Sequence, residues 1–137
     1  MSGEDITKQV IHAYYKVYNT LGHGFLENVY KDALKIELTR LKIKVVPDAE
    51  IKVFYEKEEV GTYTVDFLVD NAVLVMIRAE DAIRVEDEAL LRNCLKATII
   101  ESGLLLNFGI KAQFKRKHFQ SELKKNTLKT GGEAAGV

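Results

Sequence analysis

Between Tyr63 and Glu80 the chain passes from strict alternation to an unbroken apolar run. Tyr63, Val65, Phe67 and Val69 fall on one side of an extended strand, with Thr64, Asp66, Leu68 and Asp70 on the other. Residues 72–77 are apolar throughout, as a strand buried on both faces requires. Asp70 and Asn71 supply turn chemistry between the two, so the stretch predicts a hairpin. A three-residue loop over 70–72 sets Val69 opposite Val73 and Asp66 opposite Met76, both on one face. A two-residue loop would slip the register and separate them. The register matters because a carboxylate on a strand rich in Val and Phe is costly to bury without a partner or a chemical role.

Upstream, Ile6, Val10, Tyr14, Val17 and Leu21 recur at spacings of three and four and predict a helix from Ser2 or Asp5 to about Asn19. Gly22 is placed to end it, and Gly24 lets the chain reverse before a second helix beginning near Phe25. That helix is expected to bury Leu26, Val29, Tyr30, Ala33, Leu34 and Leu38. Pro47, the only proline, is expected in a break after the β-rich residues 43–46. A strand over 50–55 and a charged turn over 56–59 then lead into the hairpin. A third helix over 85–102 is entered through the acidic Glu86, Asp87 and Glu88 and stopped by Gly103. Two strands follow, a buried one over 104–108 and a basic one over 113–119. The order of elements predicts an α/β fold with a mixed sheet flanked by helices. One domain over 1–120 is expected, with a polar, basic tail over 121–137, partly disordered.

Composition changes the picture in two places. Twenty basic and twenty acidic residues cancel, but residues 111–129 hold seven Lys or Arg against one acid, Glu122. That segment is therefore +6 and the remainder −6. Lys115, Arg116, Lys117, Lys124 and Lys125 are its candidate nucleic-acid contacts; the alternative is a solvated edge strand protected by lysines. The single cysteine, Cys94, excludes an intramolecular disulfide and suits a reducing compartment. No signal peptide is expected at the N-terminus, and no apolar run is long enough to span a bilayer. A soluble, cytoplasmic protein is the expectation.

The stretch LGHGFLENVY over 21–30 resembles the signature of the GxxExxY family, with Gly24, Glu27 and Tyr30 at the named positions. The similarity continues through Ala33-Leu34, residues 36–38 and Val65-Asp66, and closes at GLLLNFG over 103–109. It covers about residues 6–119. That family is placed in the PD-(D/E)XK nuclease-like superfamily, whose core is a mixed sheet flanked by helices. The resemblance implies divalent-metal phosphodiester chemistry at an Asp, then at a Glu-x-Lys one strand later, often with a helical Glu. Mg²⁺ takes oxygen ligands, generates hydroxide and offsets charge on phosphate, while the lysine positions or activates the attacking water.

Asp66 and Glu27 match that pattern, but the Glu-x-Lys position is Met76-Ile77-Arg78. A thioether is a poor match for Mg²⁺. An arginine keeps its proton and cannot be a general base. A glutamine usual in the family's next helix is replaced by Leu90. The expectation is a degenerate site with Glu27, Asp66 and Arg78 vestigial or weak, and with no cofactor or only weakly bound Mg²⁺ at Asp66 and Glu27.

Each candidate also has a structural reading. Glu27 suits a helix N-terminus and could pair with Lys31. Tyr30 suits the core with its hydroxyl satisfied. Arg78 suits an ion pair with Asp66 or Glu27. Glu80, Glu86, Asp87 and Glu88 suit a helix start, although a migrated metal carboxylate among them stays open. His23 has no second histidine nearby, and Cys94 is a buried thiol with nothing to activate it.

Three functions follow. The first is a non-catalytic nuclease-like domain with a sequence-independent nucleic-acid-binding or regulatory role. The second is an active metal-dependent nuclease using Glu27, Asp66 and a migrated acid. The third is a homo-oligomeric interaction or scaffold protein, with a homodimer left open.

Overall fold

A computed structural model describes residues 3–120. Helices α1 (Gly3–Leu21) and α2 (Glu27–Arg40) precede strands β1 (Val45–Tyr55), β2 (Glu58–Val69) and β3 (Val73–Arg78). Helix α3 (Val85–Lys96) crosses to β4 (Ser102–Phe108), and β5 (Ala112–His118) returns beside it. The five strands form one mixed sheet in chain order, antiparallel except for the β3–β4 pair. The α/β expectation therefore holds.

Two apolar layers hold the helices to the sheet. Ile6, Val10, Tyr14 and Val17 of α1 and Tyr30, Leu34 and Leu38 of α2 pack on Phe67, Val69, Val73, Val75, Ile77, Leu104 and Leu106. On the other face Leu91, Cys94 and Leu95 of α3 pack on Ile51, Leu68, Leu74, Met76 and Leu105. Strands β3 and β4 are covered on both sides, which is why their sequences are continuous apolar runs. Among the described residues no helix is long and apolar enough to cross a membrane.

The hairpin has the expected register as far as Phe67, with Val69 opposite Val73, Leu68 opposite Leu74 and Phe67 opposite Val75, but the expected Asp66–Met76 pair is not part of the ladder. Asp70 and Asn71 both adopt positive φ in the turn, which short polar side chains tolerate. The alternation, however, does not run through to Tyr63. Phe67 and Val69 face α1 and α2, whereas Val65 and Tyr63 lie with the α3 layer. The strand changes faces at Asp66. Its partner β1 changes at Asp48, which has φ 53° and stands opposite Asp66 between the Pro47–Phe67 and Ala49–Val65 pairs. Beyond Phe67, β2 leaves β3, and a notch opens between them.

Other boundaries also move. Pro47 lies inside β1 rather than in a break, tolerated because β1 is an edge strand. Leu26 is 78% exposed, outside the apolar stripe, because α2 begins only at Glu27. Helix α3 ends at Lys96, where the Thr98 hydroxyl accepts from the Ile100 N–H and donates to its carbonyl, a local turn that competes with helix. Gly103 does not stop the helix but lies in β4, where a Cβ would stand 2.9 Å from Leu91 Cδ1. The tail over 121–137, with Lys124 and Lys125, lies outside the described residues.

Candidate functional site

Asp66 sits in the notch, with its carboxylate closing the ladder that β2 abandons. The Ile77 N–H donates to Asp66 Oδ2 at 2.7 Å, taking the place of a strand-to-strand bond. Lys31 Nζ lies 3.5 Å from Asp66 Oδ1 and also pairs with Asp48. One helical lysine thus serves the two aspartates at which β1 and β2 change faces. Burial opposes its charge, but Asp48 and Asp66 outweigh that and hold the Lys31 pKa above its ordinary value. The expected Glu27–Lys31 pair is not formed, because Lys31 is drawn across the sheet to these two carboxylates.

Arg78, at the end of β3, gathers the acids on its other sides. Its Nη1 lies 3.7 Å from Asp66 Oδ2 and 4.0 Å from Glu27 Oε1, and its Nε donates to Asp87 Oδ1 at 3.1 Å. The same Nη1 donates to the Ile77 carbonyl at 2.8 Å. Asp87, with a side chain only 8% exposed, also has Arg84 Nε 3.6 Å from its Oδ2. Glu27 is the least well served. Partial burial raises its pKa, Arg78 opposes that, and Asp66, Glu80 and Asp87 add to the rise. Arg78 therefore pairs with both of the alternatives expected for it, Asp66 and Glu27, and also with Asp87, which was expected at a helix start or as a migrated metal carboxylate.

The signal for Asp87 was in the sequence: it is four residues before Leu91 and seven before Cys94, on the buried stripe of α3. Asn107 was not among the candidates drawn from the sequence. It is fully buried between Leu106 and Phe108, where an amide requires partners. Its side chain accepts from the Glu80 N–H and donates to the Glu80 carbonyl, both at 3.0 Å. Gly109 lets the same segment close in, since a Cβ there would stand 2.5 Å from the Glu80 carbonyl oxygen. Together they fix the chain directly after Arg78.

Gly24 has φ 111°, a conformation open to glycine. Tyr30 stacks on Phe108 at 4.2 Å between ring centres; its hydroxyl donates to the Gly22 carbonyl at 2.6 Å and accepts from the Phe25 N–H. Tyr30 is therefore core, and it fixes the turn that delivers Glu27. Cys94 is buried and its thiol pKa is pushed up to about 12 by desolvation, so it is an inert thiol.

A divalent cation does not fit these residues. Met76 is 1% exposed and packs in the α3 layer, so β3 offers no second carboxylate. The Asp66 oxygens already serve Ile77, Lys31 and Arg78. Among the described residues no three His, Cys, Asp or Glu side chains converge as metal ligands.

The basic strand is divided by its register. Lys115 and Lys117 stand opposite Leu105 and Gly103, on the α3 side, while Arg116 stands opposite Leu104, on the α1 and α2 side. The three cations do not form one surface, because neighbouring residues of a strand point to opposite faces.

Residues 4–118 match the family model of the PD-(D/E)XK nuclease superfamily. The chain belongs to that superfamily. Comparison with curated proteins and with solved structures gives no match. In the notch between β2 and β3, Lys31 and Arg78 stand beside the Asp66 carboxylate.

Proposed function

We propose that this PD-(D/E)XK domain, of the GxxExxY type, is non-catalytic and has a nucleic-acid-binding or regulatory role inside the cell. The observation that carries the reading is the Arg78 guanidinium, placed among Glu27, Asp66 and Asp87. Carboxylates that would hold Mg²⁺ are neutralised by a cation of the protein itself, and arginine cannot accept the proton of an attacking water. Lys31, the lysine closest to taking the lost role, is held in its charged form by Asp48 and Asp66, the wrong state for a base. The active-nuclease reading would have Asp87 as its migrated acid rather than Glu80, Glu86 or Glu88, since Asp87 is the acid turned toward Arg78. One assay separates the two. Incubation with duplex and single-stranded DNA and RNA in Mg²⁺ or Mn²⁺ is expected to give no cleavage. Metal-dependent cleavage that Asp66→Ala abolishes would overturn the proposal.

A further inference from the structure

We infer that the α3 side of the sheet carries a phosphodiester-binding patch formed by Arg92, Lys115 and Lys117, and that duplex nucleic acid rests there rather than in the notch. The inference depends on the nucleic-acid-binding reading above and names its surface. Residues directly opposite in an antiparallel pair share a face. Leu105 belongs to the α3 layer, and a Cβ on Gly103 would meet Leu91 and Leu95. Their partners Lys115 and Lys117 therefore lie beside α3.

Glu88, in the first turn of α3, receives Lys117 Nζ at 2.8 Å. Arg92 follows one turn later on the same side of the helix. The Glu88 carboxyl is held below its ordinary pKa by the Lys117 hydrogen bond, against some desolvation, with Lys117, Lys115 and Arg92 adding their charge. All three cations thus surround one acid, for a local charge of +2. Arg92 and Lys115 are exposed, and no ion pair within the described residues engages either of them.

Adjacent residues of α3 divide the two environments. Asp87 turns to Arg78, and Glu88 turns to Lys117. On the notch side, the acids Glu27, Asp48, Asp66 and Asp87 outnumber Lys31, Arg78 and Arg84. A phosphate there meets net negative charge. On the β5 side it meets Arg92 and Lys115, with Lys117 held by Glu88. Point contacts of this kind position a backbone without reading sequence.

The test is fluorescence anisotropy of the full chain with a labelled duplex DNA over a salt series, with a duplex RNA of matched sequence as the second arm. With Lys117 held by Glu88, two phosphates at Arg92 and Lys115, at about 0.9 each, give a log–log slope of about −1.8 on the DNA. Arg92→Ala with Lys115→Ala should flatten it by about 1.8, both positions being exposed and the fold checked by circular dichroism. Glu88→Gln should lower Kd, because it removes the acid of the patch. Arg116→Ala, on the opposite face, should leave the slope as it is. Binding of both duplexes supports recognition of the shared phosphodiester, and binding of one alone identifies the source. If the parent binds but the double variant keeps its slope, or Arg116→Ala flattens it equally, the patch is overturned while nucleic-acid binding stands. If the parent binds neither duplex at low salt, the nucleic-acid reading itself falls and the patch with it.

Discussion

Removing the Arg78 guanidinium would leave Asp66, Asp87 and Glu27 facing one another with Lys31 and Arg84 as the remaining cations. Breaking a buried pair from one side costs several kcal/mol, chiefly because the stranded charge has lost its water without keeping its partner. Arg78 and Asp87 are both largely buried, at 20% and 8% side-chain exposure. Arg78→Met should therefore cost about 3 kcal/mol, read as a fall in the urea midpoint at constant m-value. An unchanged midpoint would mean that the guanidinium carries no structural weight. At this scale the sequence was partly legible. Asp66 stood out as a carboxylate in an apolar strand, and Arg78 as its natural partner. The reach of Lys31 to Asp48 was hidden, because the two are seventeen residues apart and meet only where β1 and β2 both change faces.

Elements with strong period were read closely, and boundaries set by tertiary packing were not. Helix α1 and the β2–β3 turn follow directly from spacing and turn chemistry. The expected end of the third helix failed because Gly103 looked like a stop signal, whereas its role is to let α3 press on β4. A Cβ at Gly103 would meet Leu91 Cδ1 at 2.9 Å and both Leu91 Cγ and Leu95 Cδ1 at 3.2 Å. These are branched side chains in a filled layer, with little room to retreat. Gly103→Ala should therefore destabilise the domain by about 2 kcal/mol, in the range of overpacked cores. Pairing Gly103→Ala with Leu91→Ala should recover part of the loss if the clash is the cause. No recovery, measured as a double-mutant cycle on the denaturation midpoint, would place the cost in the backbone instead.

For the whole molecule, the proposed non-catalytic reading, in which Lys31, Arg78 and Arg84 balance the acids of the notch, has a thermodynamic signature. A ligand stabilises the native state by RT ln(1 + [L]/Kd). With Mg²⁺ affinity in the millimolar range or weaker, 1 mM Mg²⁺ adds at most about 0.4 kcal/mol, so the melting temperature of the parent should be nearly indifferent to Mg²⁺ or to a chelator. The variant carrying Met76→Glu and Arg78→Lys replaces the thioether with an oxygen ligand and removes the fixed guanidinium. Without metal it should melt lower, since it buries a new carboxylate in the α3 layer where Met76 is 1% exposed. With Mg²⁺ at about a hundred times its Kd it should regain about 2.7 kcal/mol, a rise of roughly 10 °C for a chain of this size. A parent that itself rises by that amount already binds metal, and the non-catalytic reading fails. A variant as indifferent as the parent would show that Met76 and Arg78 are not what excludes the ion, and would turn attention to the pairing of Lys31 with Asp66.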